Sequence, residues 1–161
     1  MSRTEACLCP PLDNMRHRRE DESTYLGYVA HRPAPDLNVP ALRKTLEWVE
    51  AEAARGEESA WRQESYATRT ACGTAFCAAG YVAAELVGAR PHFDAVADPD
   101  GELVTDVCVL PDGEFASIDS VAREELGLTS RESMRLFDGT NSLEDVRRIV
   151  GRLLETAGDR P

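Results

Sequence analysis

Apolar residues recur along the chain at helical spacing in several stretches. Leu42, Leu46, Val49 and Ala53 follow at intervals of four, three and four, which draws one apolar face of a helix. Asn38 is placed to cap it, Pro40 falls in its first turn and Gly56 ends it. Ser59 to Tyr66 reads as a further short helix anchored by Trp61. From Thr74 to Gly88 the pattern changes, because no charge falls on any face between Ala75 and Ala84. A helix that is apolar all round is a buried helix. Thr74 is its predicted cap and Gly88 its stop. Ala75, Ala79, Val82 and Leu86 line one side, and Phe76, Gly80, Ala83 and Val87 the next. Leucine in place of Ala79 or Gly80 is expected to overpack the core at a cost of about 1–3 kcal/mol.

Residues 91–118 switch to strand character. Asp98-Pro99-Asp100-Gly101 and Pro111-Asp112-Gly113 are turn signals around the strand-like run Leu103 to Leu110. His92 to Val96 and Glu114 to Ile118 are placed to pair on either side of it. Helices then return. Ser120 to Leu126 ends at Gly127, and Thr129 with Glu132 forms a capping-box pair that opens a helix through Phe137. Asn141 or Ser142 starts a last helix with Leu143, Val146, Val150, Leu153 and Ala157 on one face and Gly158 at its end. The fold class predicted is α+β, mainly helical: about five helices around a buried central helix, with a small antiparallel sheet of two or three strands.

Length fits one domain with a tail, residues 25–161 forming the domain and 1–24 a disordered segment marked by Pro10, Pro11 and a charge run. Translation from Met1 or from Met15 is equally compatible with that tail. Tyr25 to Ala30 reads as a short edge strand and His31 to Pro35 as a connector. With no apolar run of membrane-spanning length and no signal-peptide pattern, the expected location is the cytoplasm.

Eighteen basic residues stand against 29 acidic ones, a net charge of -11. Such a surface repels nucleic acid and anionic membranes unless its basic groups cluster. Arg16, Arg18 and Arg19 are followed at once by Glu20, Asp21 and Glu22, a solvated mixed-charge segment. Ala122 to Thr129 resembles the middle of a helix-turn-helix, although the Ala122-to-Gly127 spacing is one residue longer than that motif uses. The following helix carries Arg131 and Arg135 but also Glu132. DNA binding through residues 120–137 is therefore an alternative, and packing of a helical corner the principal reading.

Five cysteines, Cys7, Cys9, Cys72, Cys77 and Cys108, are expected to be reduced thiols in a chain without a secretion signal. Cys7-Leu8-Cys9 with His17 fits no strong zinc spacing. The segment Cys72-Gly73-Thr74-Ala75-Phe76-Cys77 alone invites a mechanism. Cys72, read as lying just before a helix start, is the candidate reactive thiol, because a helix N-terminus lowers a thiol pKa. Cys77 reads as a small apolar residue of the buried helix. A metal site of Cys72, Cys77 and His92 would have three ligands and no evident fourth. The structural reading of these residues is preferred, with no cofactor and no metal expected. His17, His31 and His92 stand apart from any recognised catalytic pattern.

Cys72-Gly73-Thr74-Ala75-Phe76-Cys77-Ala78-Ala79-Gly80 resembles the core of a family of small uncharacterised proteins of actinobacterial phages, with relatives in bacteria. That family carries Cys-Gly-Thr-small-x-Cys-x-Ala-Gly. Trp61-Arg62-Gln63, Glu125-Leu126-Gly127-Leu128, Leu136-Phe137 and Leu143-Glu144-Asp145-Val146 also fit it, and the resemblance spans about residues 38–157. It implies phage origin and a mixed helical fold, and it implies no activity. The function expected is that of a non-enzymatic accessory protein that binds a host or phage protein. A thiol- or metal-dependent activity at Cys72 and Cys77 is the alternative from a different class.

Overall fold

The computed structural model describes residues 36–71, 73–93 and 102–159, all within one compact unit. The tail, the edge strand expected at Tyr25 to Ala30, the connector after it, and Cys72 lie outside the described residues. The elements run α1 (Val39–Ala53), β1 (Ala67–Thr70), β2 (Gly73–Phe76), α2 (Ala78–Tyr81, continued by a wider π turn over Val82–Leu86) and β3 (Arg90–Pro91). There follow β4 (Leu103–Thr105), β5 (Val107–Val109), β6 (Phe115–Ser117), α3 (Ile118–Leu126), α4 (Ser130–Leu136) and α5 (Leu143–Thr156). The α+β class holds, but the strands form two three-stranded antiparallel sheets, in the orders β2-β1-β4 and β3-β5-β6.

The helix ends follow the local chemistry. The Asn38 side chain accepts from the Ala41 N–H at 3.1 Å and donates to the Glu125 carbonyl at 3.0 Å, so one residue caps α1 and ties it to the end of α3. Gly127 ends α3 in the left-handed region, φ +64°. A Cβ there would run into the Asp36 carbonyl, so both the turn and the close approach need glycine. Thr129 with Glu132, and Ser142 with Asp145, each form complete capping boxes on α4 and α5. The buried faces are Ala41, Leu42, Thr45 and Val49 on α1, and Val146, Val150 and Leu153 on α5.

The predicted central helix is too long by its first turn. Gly73 to Phe76 is a strand, paired antiparallel with Ala67–Thr70 in the register Ala67↔Phe76 to Thr70↔Gly73. The helix starts only at Ala78, with Cys77 at its N-cap, and Thr74 caps nothing because it sits within β2. An uncharged run is compatible with a buried strand as well as a buried helix. A hairpin partner decided the matter for residues 73–76. From Ala78 onward the expected burial holds, with Ala78, Ala79, Gly80, Val82 and Ala83 sealed from water. Glu85 and Gly88 face out, so the segment is a buried helix with one wet edge. Its last turn is widened: the Val87 N–H donates to Val82, five residues back, at 3.1 Å.

Further expectations fail for the same reason, pairing with another segment. Residues 59–66 form no helix. Arg62 N–H donates to the Phe76 carbonyl at 2.9 Å and Phe76 N–H to the Ala60 carbonyl at 2.8 Å, so the segment satisfies the outer edge of β2. The run Leu103 to Leu110 breaks at exposed Asp106, and its halves join different sheets. The partner expected at His92–Val96 is instead the short β3, which starts two residues earlier and ends just before His92, while residues 94–96 lie outside the described residues.

Candidate functional site

Cys77, the described thiol of the Cys-Gly-Thr segment, holds a position that would normally activate it. It is the N-cap of α2, where unpaired backbone N–H groups favour an anion. Burial overrides that effect. Only 1% of the residue reaches water, and desolvation pushes the thiol from an ordinary 9.0 up to about 11, against the lowering pull of the Gly80 and Ala79 N–H groups. At neutral pH it is a protonated, packed group. The argument for a lowered pKa at Cys72 also loses its basis. A strand, not a helix, follows at Gly73, and Cys72 itself lies outside the described residues.

His92 belongs to a different neighbourhood. Its ring and that of Phe115 form an edge-to-face pair with centroids 4.9 Å apart, and its backbone is held by Val107 of the second sheet and by the hydroxyl of Thr105 at the end of β4 in the first. Among the described residues, no group of three His, Cys, Asp or Glu side chains could hold a metal ion. Cys108, to which the sequence assigned nothing, is also buried, with its thiol directed to the Ala116 carbonyl at 3.6 Å and its pKa raised by desolvation.

The polar group that organises this region is Gln63, which is buried. Its oxygen accepts from the Trp61 indole at 3.0 Å and from the Ala78 N–H, the first of α2, at 3.4 Å. Its nitrogen donates to the carbonyls of Leu136 at 3.0 Å and Asp138 at 3.3 Å, past the end of α4. One carboxamide thus joins a helix start, a helix end and an indole. The Trp61-Arg62-Gln63 triplet consequently has a structural role on the side of the molecule where chemistry was sought.

Beside these residues lies an open cleft of about 690 Å³, bordered by Arg55, Glu57, Arg62, Thr70, Thr74 and Glu102. Its two arginines are already engaged. Arg62 meets Glu102 at 2.5 Å and Arg55 meets Glu52 at 3.0 Å, and Glu52 also accepts from the Ala60 N–H at 2.7 Å. The cleft wall is a braced loop more than a set of waiting charges.

A different kind of site occurs where α1 meets α2. Trp48 and Tyr81 stack face to face with centroids 4.4 Å apart and planes 11° from parallel. Both rings are half-buried, packed against the core on one side and wet on the other. Glu47 on α1 and Glu85 on the π turn of α2 are exposed and close enough to act on the Tyr81 hydroxyl. Its pKa is raised, first by desolvation, then by Glu85 and Glu47. Neither carboxylate has an ion-pair partner among the described residues. Aromatic pairs of this geometry contribute about 0.5–1.5 kcal/mol beyond simple burial. The sequence reading missed this seam. The available signal was Trp48 itself, a large aromatic next to Glu47 and off the Leu42-Leu46-Val49-Ala53 stripe.

Exposed apolar groups also stand singly: Met134, 74% exposed on α4, and Phe115, 64% exposed on β6. Met134 has Arg131 and Arg135 as exposed neighbours on its helix. In comparisons with known protein families, curated proteins and solved structures, the chain matches none.

Proposed function

We propose that this protein works by binding another protein, as a non-enzymatic accessory factor of phage origin in the cytoplasm of a bacterial host. The Trp48–Tyr81 seam carries this reading. Tryptophan and tyrosine are the side chains that dominate protein interfaces, since they supply large rigid contact area at little entropic cost. Two of them share one partly wet patch, framed by exposed carboxylates from two helices that have no ion-pair partner among the described residues. The interior offers less to a reaction: Cys77 is protonated and sealed, and Gln63 has its hydrogen bonds committed to the frame.

A photo-crosslinking amino acid at Ala51, one turn beyond Trp48 and exposed, tests the reading in host cells. A discrete crosslinked species at position 51, absent when the same group replaces exposed Arg152 on α5, is the expected result. Identical patterns at both positions, or none at 51, would overturn it.

One observation favours a second reading. Helices α3 and α4 meet through the tight turn at Gly127, and Arg131 and Arg135 on α4 have no carboxylate partner among the described residues. These are elements of a DNA-binding corner, set against a net charge of -11. A gel shift at low salt that R131Q/R135Q abolishes is the expected result on this reading. No binding at low salt ends it.

A further inference from the structure

We propose that the Trp48–Tyr81 seam takes a cationic segment of its partner, an arginine- or lysine-bearing stretch laid against the stacked rings between Glu47 and Glu85. This rests on the protein-binding reading and adds the chemistry of the occupant. Aromatic faces attract cations through their quadrupole, most strongly for tryptophan and most often for the arginine guanidinium. The two rings lie face to face, so their inner faces cover one another, and a cation would meet the part of each ring that stays exposed on the outside of the pair. It also provides the counter-charge. Glu47 and Glu85 reach the seam from separate elements, and both act on the Tyr81 hydroxyl. Since neither is engaged in an ion pair among the described residues, a partner cation displaces no internal bridge.

The long-range field agrees with the local one. A chain of net charge -11 speeds its encounter with a basic partner and slows an acidic one. Lys44, the single lysine of the sequence, sits exposed one turn before Trp48 and works against a cationic occupant. Its removal gives the proposal a test of sign. The wide turn at Val82–Leu86 follows Tyr81 directly and carries Glu85, and such turns within helices recur at functional sites.

The test uses the full chain and a short synthetic peptide that alternates arginine with glycine, followed by NMR of the two indole N–H signals. Trp61 is an internal reference, because its indole is tied to Gln63. The peptide is expected to move the Trp48 signal and leave that of Trp61 in place, with an affinity that falls as salt rises. E47Q/E85Q is expected to weaken the apparent Kd by roughly five- to tenfold, as for exposed charge pairs. K44Q is expected to tighten it, and E124Q/E155Q, which removes the same charge from exposed sites elsewhere, to leave it within about twofold. A Trp48 signal that does not move, or an affinity lowered equally by both glutamate pairs, overturns the proposal. If the crosslink at position 51 persists while the peptide fails, the occupant is wrong and protein binding stands. If both fail, the seam is not an interface.

Discussion

At the residue scale, the informative groups are those whose ordinary chemistry is overridden by their surroundings. Gln63 is polar and buried, yet each side of its carboxamide is used. Gln63→Leu keeps much of the volume but leaves the Trp61 indole, the Ala78 N–H and the Leu136 carbonyl without that partner. The expected loss is about 2–4 kcal/mol, read as a lowered urea midpoint at unchanged slope. A midpoint equal to that of the parent would refute the keystone role. Cys77 gives a pH dependence of defined sign. Its folded pKa is raised from 9.0 to about 11, so its contribution to stability is complete below pH 9 and is lost as pH rises through about 11. Cys77→Ala is expected to flatten that alkaline loss when denaturant midpoints are compared between pH 8 and about 11.

At the element scale, close approach decides more than propensity. Gly80 lies in α2 where a Cβ would meet the Tyr66 carbonyl and the Phe76 ring, whereas Gly151 in α5 has open space at the same atom. Gly80→Ala is expected to lower stability by about 2–3 kcal/mol and Gly151→Ala to raise it by about 0.5–1 kcal/mol. Thermal melts of the pair test this, and equal effects would contradict the packing described. The same contrast explains how much the sequence disclosed. Caps such as Asn38, Thr129 and Ser142, and stops such as Gly88 and Gly127, are local events, and the element ends they mark were legible. The hairpin of β1 and β2 is close in sequence, with two residues between its strands, yet its second strand depends on a partner: Ala75 and Phe76 look equally at home in a helix until Ala67–Thr70 is laid beside them. The alternation of Thr68 and Thr70 with Ala67 and Arg69 was the available strand signal. The break at Asp106 was invisible for the same reason, since it depends on two different partner sheets. The seam of Trp48 with Tyr81 joins residues on two helices, and periodicity within either one cannot show it.

At the scale of the whole molecule, the buried polar groups and thiols serve cohesion, while the unengaged charge and aromatic surface face outward. Cys77, Cys108 and Gln63 are inside; Glu47, Glu85, Arg131, Arg135 and Met134 are outside. The division itself is best tested by the reactivity of Cys77, because a working thiol must be reached by its substrate. The folded protein is exposed to iodoacetamide at neutral pH and each cysteine is followed by peptide-resolved mass spectrometry. Cys77 is predicted to react at least ~10³-fold more slowly than in the unfolded chain, at a rate set by opening of the structure. Alkylation of Cys77 in the folded protein as fast as in the unfolded one would contradict the account and return that thiol to the list of working groups.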